Sequence, residues 1–278
     1  MVFDSYTIEY YSLTIKSTIV MSNSENGSNQ SAAKKSTTET GNAINLANFL
    51  LIIQTVSKLK DKYKPSNPDL EIKALEINYK AAKNDLDNCT KAETDFDKTT
   101  TSRSGLFKQM KKLSGRAHRG FKATKVPQAA KDQAQTIMNK LHGNVSKPKK
   151  KEILLEGEEG QKSISNSQQS YSQLIEHFKK LRGLLTSYEA YKPNEADLTP
   201  VALLNFENDL YNENRQVGDA ITNWKSLRRS RSKTFYATET GIVDTAFQVK
   251  DYVASVFGIA SPEYKEVNKI KFRNIKDK

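Results

Sequence analysis

A single cysteine, Cys89, stands in 278 residues. That excludes an intrachain disulfide and any zinc site built on several thiolates. Seven prolines and twelve glycines are too few for a turn-rich β protein and favour long helices. No apolar run approaches the roughly 18 residues of a membrane span; the longest candidate is FLLII at 49–53. Hydrophobic residues make up only 36% of the chain, against roughly 45–50% in globular domains. Such a composition suits helices with one buried stripe better than a thick enzyme core. The opening MVFDSYTIEYYSLTIKSTIVM carries Asp4 and Glu9 and has no basic start, so it is not a secretion signal. Residues 1–20 are expected to precede the natural start at Met21, and the expected location is the cytoplasm.

Acid is also scarce in one place. The net charge is +12, from 44 basic and 32 acidic residues, and such a surface attracts anions of any kind. Between Lys98 and Lys131 there is no acid at all, while Arg103, Lys108, Lys112, Arg116 and Arg119 fill the gap. On a helix, Lys108, Lys112, Arg116 and Arg119 share one face, and Leu106, Met110, Leu113, Ala117 and Phe121 share another. A second acid-free stretch, from Ala220 to Thr238, holds Lys225, Arg228, Arg229, Arg231 and Lys233.

Helical periodicity organises what remains. Leu46, Phe49, Leu50, Ile53, Val56 and Leu59 recur at spacings of three and four, and Pro65 and Pro68 end that helix. Asp69 is placed to cap a long helix with potential breaks at Gly105 and Gly115. A third helix runs from Pro127 to about Leu141, with Gly143 as its stop. Residues 144–168 read as a linker, and then the pattern restarts: a stripe from Tyr171 to Tyr188, Pro193, a long helix opened by Asp197, and a helix from Val243 to Phe257.

The restart is a repeat. Shifted by 128 positions, Tyr63, Lys64, Pro65, Asp69, Leu70, Ala74 and Leu75 fall on identical residues, as do Asn84, Ala92, Thr94, Ser102, Arg103, Ser104 and Phe107. These are 14 identities in the 45 positions 63–107, where chance gives about three. Phe96 falls on Trp224. The third helices align at a shift of 119, with Lys131 and Asp132 on Lys250 and Asp251. The expected fold is therefore all-α: two tandem pseudo-symmetric three-helix modules forming elongated helical bundles. Module 1 spans 42–143 and module 2 spans 169–258, between a polar tail at 1–41 and a basic tail at 259–278. Each set of three helices is expected to form its own antiparallel bundle. The marginal stability of a bundle that small favours pairing of the two.

The stretches YKPNEADL at 191–198, DTAFQVKDYVASVFG at 244–258 and SPEYKEVNKIKF at 261–272 resemble a family of uncharacterised, duplicated all-helical bacterial proteins. That resemblance implies the two-module plan and the late start, and brings no function with it.

Arg103, Lys108, Lys112, Arg116, Arg119, Lys225, Arg228, Arg229 and Arg231 are the candidate anion-binding residues, led by Arg103 and Arg231, which are identical across the repeat. The competing reading is a solvated helix face, acidic early and basic late as the helix dipole favours. Tyr63, Pro65, Asp69 and Phe96, with Tyr191, Pro193, Asp197 and Trp224, read as turn and core anchors. The RSRS run at 229–232 reads as a solvated turn. His118, His142 and His177 form no metal-spaced pair, with His118 expected at the surface and Cys89 half-buried. There is no phosphate loop, no GxGxxG and no Glu-x-x-His. No catalytic residue, metal or cofactor is expected, and the chain is read as a non-catalytic scaffold or interaction protein, its partner a protein or another copy of itself. Sequence-nonspecific nucleic-acid binding through the basic helix ends is the alternative. Anionic membrane-surface binding through residues 106–123 is the second.

Overall fold

The fold is all-α. The computed structural model describes residues 37–144 and 169–273. The expected tail up to residue 36, the start at Met21, the linker from 145 and the last five residues lie outside them. Among the described residues seven α-helices follow in order: α1 Thr37–Ser57, α2 Ile72–Lys122, α3 Gln128–His142, α4 Tyr171–Thr186, α5 Pro200–Tyr236, α6 Ile242–Phe257 and α7 Pro262–Lys269. Among the described residues, no helix is long and apolar enough to cross a membrane.

The two proline corners are built alike. The Tyr63 hydroxyl donates to the Leu70 carbonyl at 2.9 Å, and the Tyr191 hydroxyl donates to the Leu198 carbonyl at 3.0 Å. Each tyrosine is buried, at 5% and 4% exposure, so its ring and its hydrogen bond together set the angle at which the chain enters the long helix. The capping expected of Asp69 and Asp197 falls elsewhere. Both aspartates lie in short 3₁₀ turns, Pro68–Leu70 and Ala196–Leu198. Glu71 is the N-cap position of α2 without a side-chain bond, and Thr199 caps α5 by accepting from the Ala202 N–H at 3.3 Å.

Helix α2 runs 51 residues without interruption, through both glycines expected to break it. A glycine in a helix interior costs about 1 kcal/mol against alanine. Gly105 and Gly115 carry that cost because Phe107, Met110, Ala117 and Phe121, around and between them, are buried and packing outweighs propensity. The stop at Gly143 is as expected: its φ of +78° lets the Asn144 N–H reach back to the Asn139 carbonyl at 2.8 Å. The segment read as a basic tail instead forms α7, capped by Ser261 and anchored by buried Val267 and Ile270.

The most extensive packing joins α2 to α5 along an antiparallel seam. Phe96 stacks on Trp224 with centroids 5.4 Å apart and rings 19° from parallel. To one side, Ser102 donates to Glu213 and Arg103 Nη1 to Asn214 at 3.1 Å; to the other, Thr234 donates to Asp85 at 2.6 Å.

One hydrophobic core sits at each end of this seam. The first gathers α1, the start of α2 (Leu75, Ala82), Phe235 at the end of α5, α6 and Val267 of α7. The second gathers the last third of α2, α3, α4 and the start of α5 (Leu203, Leu210). Self-contained three-helix bundles do not form: α1 packs in the first core and α3 in the second. The long helices are too long for α1 and α3 to meet, and each core is completed by helices from the other half of the chain.

Helix bounds also correct the alignment of the third helices. Val249 and Val253 of α6, like Ala134 and Met138 of α3, are buried, and Gly258 follows α6 as Gly143 follows α3. That correspondence is a shift of 115, one helical turn from 119. A whole turn leaves the buried stripe in phase.

Because both cores need both halves, residues 37–143 expressed alone should lack cooperative unfolding and dispersed amide resonances, as should 169–273. Mixing the two should restore both signals. A half that folds by itself contradicts the exchanged cores.

Candidate functional site

The nine candidate anion-binding residues do not form one surface. Arg231 is fully buried, at 0% exposure, with Nη1 3.3 Å from the Cys89 sulfur. It belongs to the seam, and Cys89, expected half-buried, is also at 0%. Arg103 is half-buried, its guanidinium 4.0 Å above the Tyr171 ring. Arg228 is half-buried beside Trp224, 5.4 Å from the ring. Arg116 is exposed, yet both its Nη atoms donate to Asp197, Nη2 at 3.1 Å. The hydrogen bond from Arg116 holds the Asp197 carboxyl below its ordinary range.

Lys108, Lys112, Arg119, Lys225 and Arg229 remain exposed, without an ion pair or side-chain hydrogen bond among the described residues. Nor are the two basic stretches equivalent. At the repeat shift of 128, Lys108 falls on Tyr236, where α5 ends. The stripe at 108–122 therefore lies on an extension of α2 that α5 lacks.

The apolar face of the same stretch is core. Phe107 and Phe121 are buried at 4% and 0%, and Met110 at 0%, so residues 106–123 have no apolar face left to enter a membrane surface. Phe96 and Trp224 are half-buried at the waist between the cores and belong to neither. In the RSRS run, Ser230 is exposed and donates to Asp85 at 3.3 Å.

His118 is buried at 7%, not exposed as expected, and His177 at 5%; the Nε2 of each lacks a hydrogen-bond partner. Burial pushes both imidazoles below their ordinary pKa. Lys122 and Arg119 add to the effect at His118, and Lys140 and Lys180 at His177, where Glu176 opposes it. His142 is exposed in the last turn of α3. The depressions near the end of α2 are open. One of about 450 Å³ lies between Arg116, Arg119 and the 191–195 loop; another of about 280 Å³ lies between α2 and α3, beside His118, Lys122 and His142. Among the described residues no group of His, Cys, Asp and Glu is placed to hold a metal.

Sequence reading missed four polar anchors. Asn45, at 0% exposure, donates to the Arg273 carbonyl at 2.7 Å and accepts from the Arg273 N–H at 2.9 Å, while Asn48 donates to the Lys271 carbonyl at 2.6 Å. Residues 271–273 are strapped to α1 in this way. Lys250, buried at 5%, donates to the Ile270 carbonyl and lies 5.4 Å from the rings of Phe247 and Phe272. Glu207, buried at 4%, pairs with Arg182 at 2.6 Å. The Asn42, Asn45, Asn48 spacing on one side of α1 was the one available signal.

No protein-family model matches this chain, nor does any characterised protein or solved structure.

Arg231→Ala should destabilise the fold by about 3 kcal/mol, because it empties the volume of a large side chain that is wholly buried in the seam. Arg229→Ala, two residues away on the surface, should change stability by less than about 0.5 kcal/mol. Urea midpoints measure both, and equal values would contradict the placement of Arg231. The buried histidines make a further demand. Their folded pKa lies below the unfolded value of about 6.5, so under that pH the unfolded chain binds protons that the folded chain does not, and stability falls as pH falls. Urea midpoints should drop between pH 7.5 and 5, with a shallower drop in the His118→Gln/His177→Gln variant; an unchanged slope counts against this source.

Proposed function

We propose that the chain is a non-catalytic helical scaffold, an interaction protein whose rigid double-ended body presents surfaces to a macromolecular partner or to further copies of itself. One observation carries the reading. Among the described residues, Arg231 on Cys89, Glu207 on Arg182, Lys250 on Ile270, and Asn42 and Asn45 on Tyr236 and Arg273 join helices at separate places, and none of Arg231, Glu207, Lys250, Asn42 and Asn45 lines one of the open depressions. Catalytic constellations need several such groups around one void; these join helices instead.

The body is, on this reading, a duplicated segment folded about a pseudo-twofold axis through the Phe96–Trp224 stack. Supporting it, the Ser102–Glu213 and Ser230–Asp85 contacts exchange under the 128-residue shift, as do the Tyr63 and Tyr191 corners. Membership of the duplicated helical family that the second half resembles, and a cytoplasmic location, belong to the same proposal. Nucleic-acid association is the second reading, favoured by the unpaired exposed cations of α2 and α5.

Affinity purification from the cells of origin, with light scattering of the recovered complex, tests the scaffold. A stoichiometric macromolecular partner or a defined oligomer is the expected result. Incubating the purified chain with a metabolite extract gives the opposing outcome: time-dependent, chain-dependent consumption of any small molecule makes it an enzyme and overturns the proposal.

A further inference from the structure

We infer that the groove between α2 and α3 binds the phosphate group of a small phosphomonoester. The site is the depression of about 280 Å³ lined by Gly115, His118, Arg119 and Lys122 of α2, with Asn139 and His142 of α3 facing them. Its volume is at the small end of ligand sites, which run from about 300 Å³. It has room for a phosphate group and a short carbon skeleton.

Charge makes the depression a place for anions. Arg119, Lys122 and His142 are exposed, and none of the three has an ion pair among the described residues. No carboxylate among the described residues lines it. Asp132, the one acid of α3, already accepts from Gln128 at 2.8 Å. The Asn139 oxygen accepts from Gln135 at 3.0 Å, which leaves the Asn139 amide NH2 to donate. Two whole positive charges and an amide donor suit a phosphate oxyanion, and the same two charges repel a metal ion from the two histidines. The C-terminus of α3 opposes an anion with about half a negative charge. Its carbonyls are partly occupied, that of Asn139 by the Asn144 N–H and that of Lys140 by Gln169, and Arg119 with Lys122 outweighs the remainder.

His118 ties the depression to the core. It is buried at 7%, and its Nε2 lacks a hydrogen-bond partner. Burial, Lys122 and Arg119 hold its imidazole below the ordinary pKa; His142, across the groove on α3, is the other titratable group beside them. An anion in the depression offsets both cations and therefore raises the His118 pKa. His177 does not line it and is held low by burial, Lys140 and Lys180, so it serves as an internal reference. Gly115 offers a direct way to fill the space, because a Cβ there meets nothing within 4 Å. The repeat holds no second copy of the site: at the shift of 128, Gly115 to Lys122 fall on positions 243–250, beyond the end of α5 at Tyr236.

The test follows the histidine Cε1–H resonances of the full chain during titration with inorganic phosphate, glycerol phosphate and chloride at matched ionic strength. Saturable shifts at His118 and His142 are expected, with one phosphate group per chain, a raised His118 pKa and His177 unmoved. Glycerol phosphate should bind at least as tightly as inorganic phosphate; the reverse order assigns the depression to the bare ion and overturns the phosphomonoester. R119A/K122A should lower affinity at least about tenfold, as loss of a charge-assisted hydrogen bond does. Gly115→Glu, which sets a carboxylate in the depression, should abolish binding and raise the His118 pKa by itself. Gly115→Ala should leave binding as it was, and so should K225E/R229E, which removes exposed cations elsewhere; circular dichroism checks that every variant keeps its helices. The absence of saturable shifts overturns the inference. So do equal shifts from chloride, shifts at His177 matching those at His118, or binding that survives Gly115→Glu. The scaffold reading stands apart from each of these outcomes, because binding consumes nothing and the metabolite assay reads consumption.

Discussion

Both cores depend on the antiparallel seam between α2 and α5. Neither end is complete without it: the first core needs Phe235 from the end of α5, and the second needs Phe107 through Phe121 from the end of α2. The seam itself is built from small and polar contacts. Ala82, Cys89, Ala92 and Val217 are buried along it, which lets two helices of this length approach closely. Charge then fixes the direction. Helix α2 is acidic early, at Glu76, Asp85 and Asp87, and basic late; α5 is acidic early, at Glu207, Asp209 and Glu213, and basic late. Antiparallel pairing sets each acidic half beside the other's basic half, where a parallel pairing would set like against like. The helix dipole favours the same order within each helix, so local and long-range electrostatics agree.

This arrangement explains why the halves exchange. A first helix, a proline corner and a long helix leave the far end of the long helix without cover. In each half the third helix packs at that far end, too distant to help close the core that its own first helix begins. The partner half supplies what is missing at both ends. Folding of one half therefore waits on the other, and the fold gains cooperativity at the cost of independence. The strap at residues 271–273 adds a third tie, since Asn45 satisfies both the N–H and the carbonyl of Arg273 from within the first core.

Much of this was legible in the sequence. The helices, the proline corners and the stop at Gly143 follow from periodicity and backbone chemistry, and at each corner a buried tyrosine, Tyr63 or Tyr191, donates to a carbonyl seven residues on. The third-helix alignment missed by one turn because a shift of four residues maps one buried stripe onto another, and sequence has no other ruler inside a helix. Arg231 and Arg229 could not be told apart by composition: two residues apart on a helix, they point about 200° from one another, one into the seam and the other into solvent. His118 was misplaced for a related reason. A histidine flanked by Arg119 and Lys122 looks solvated, but its own angle on α2 falls in line with Ser114 and Phe121, both at 0% exposure. Asn45 was invisible as an anchor because its partner is backbone 228 residues away.

Repetition within a chain was read as a sign of function, and the geometry argues the reverse. Residues that line a seam between two long helices meet the opposite helix and are held by it. Ser102, Arg103 and their counterparts Ser230 and Arg231 are of this kind, and all four contact the opposite long helix or its neighbours. Identity at such positions follows from what the seam requires of both long helices. A surface that meets an outside partner is under no such demand, and one copy can change without the other. The extension of α2 beyond Phe107 is the part of the long helices with no counterpart: it carries four turns of added helix, no acid, and cations that nothing inside the fold requires except Arg116. In a body otherwise occupied with holding itself together, that unrepeated segment is where contact with another molecule is least constrained.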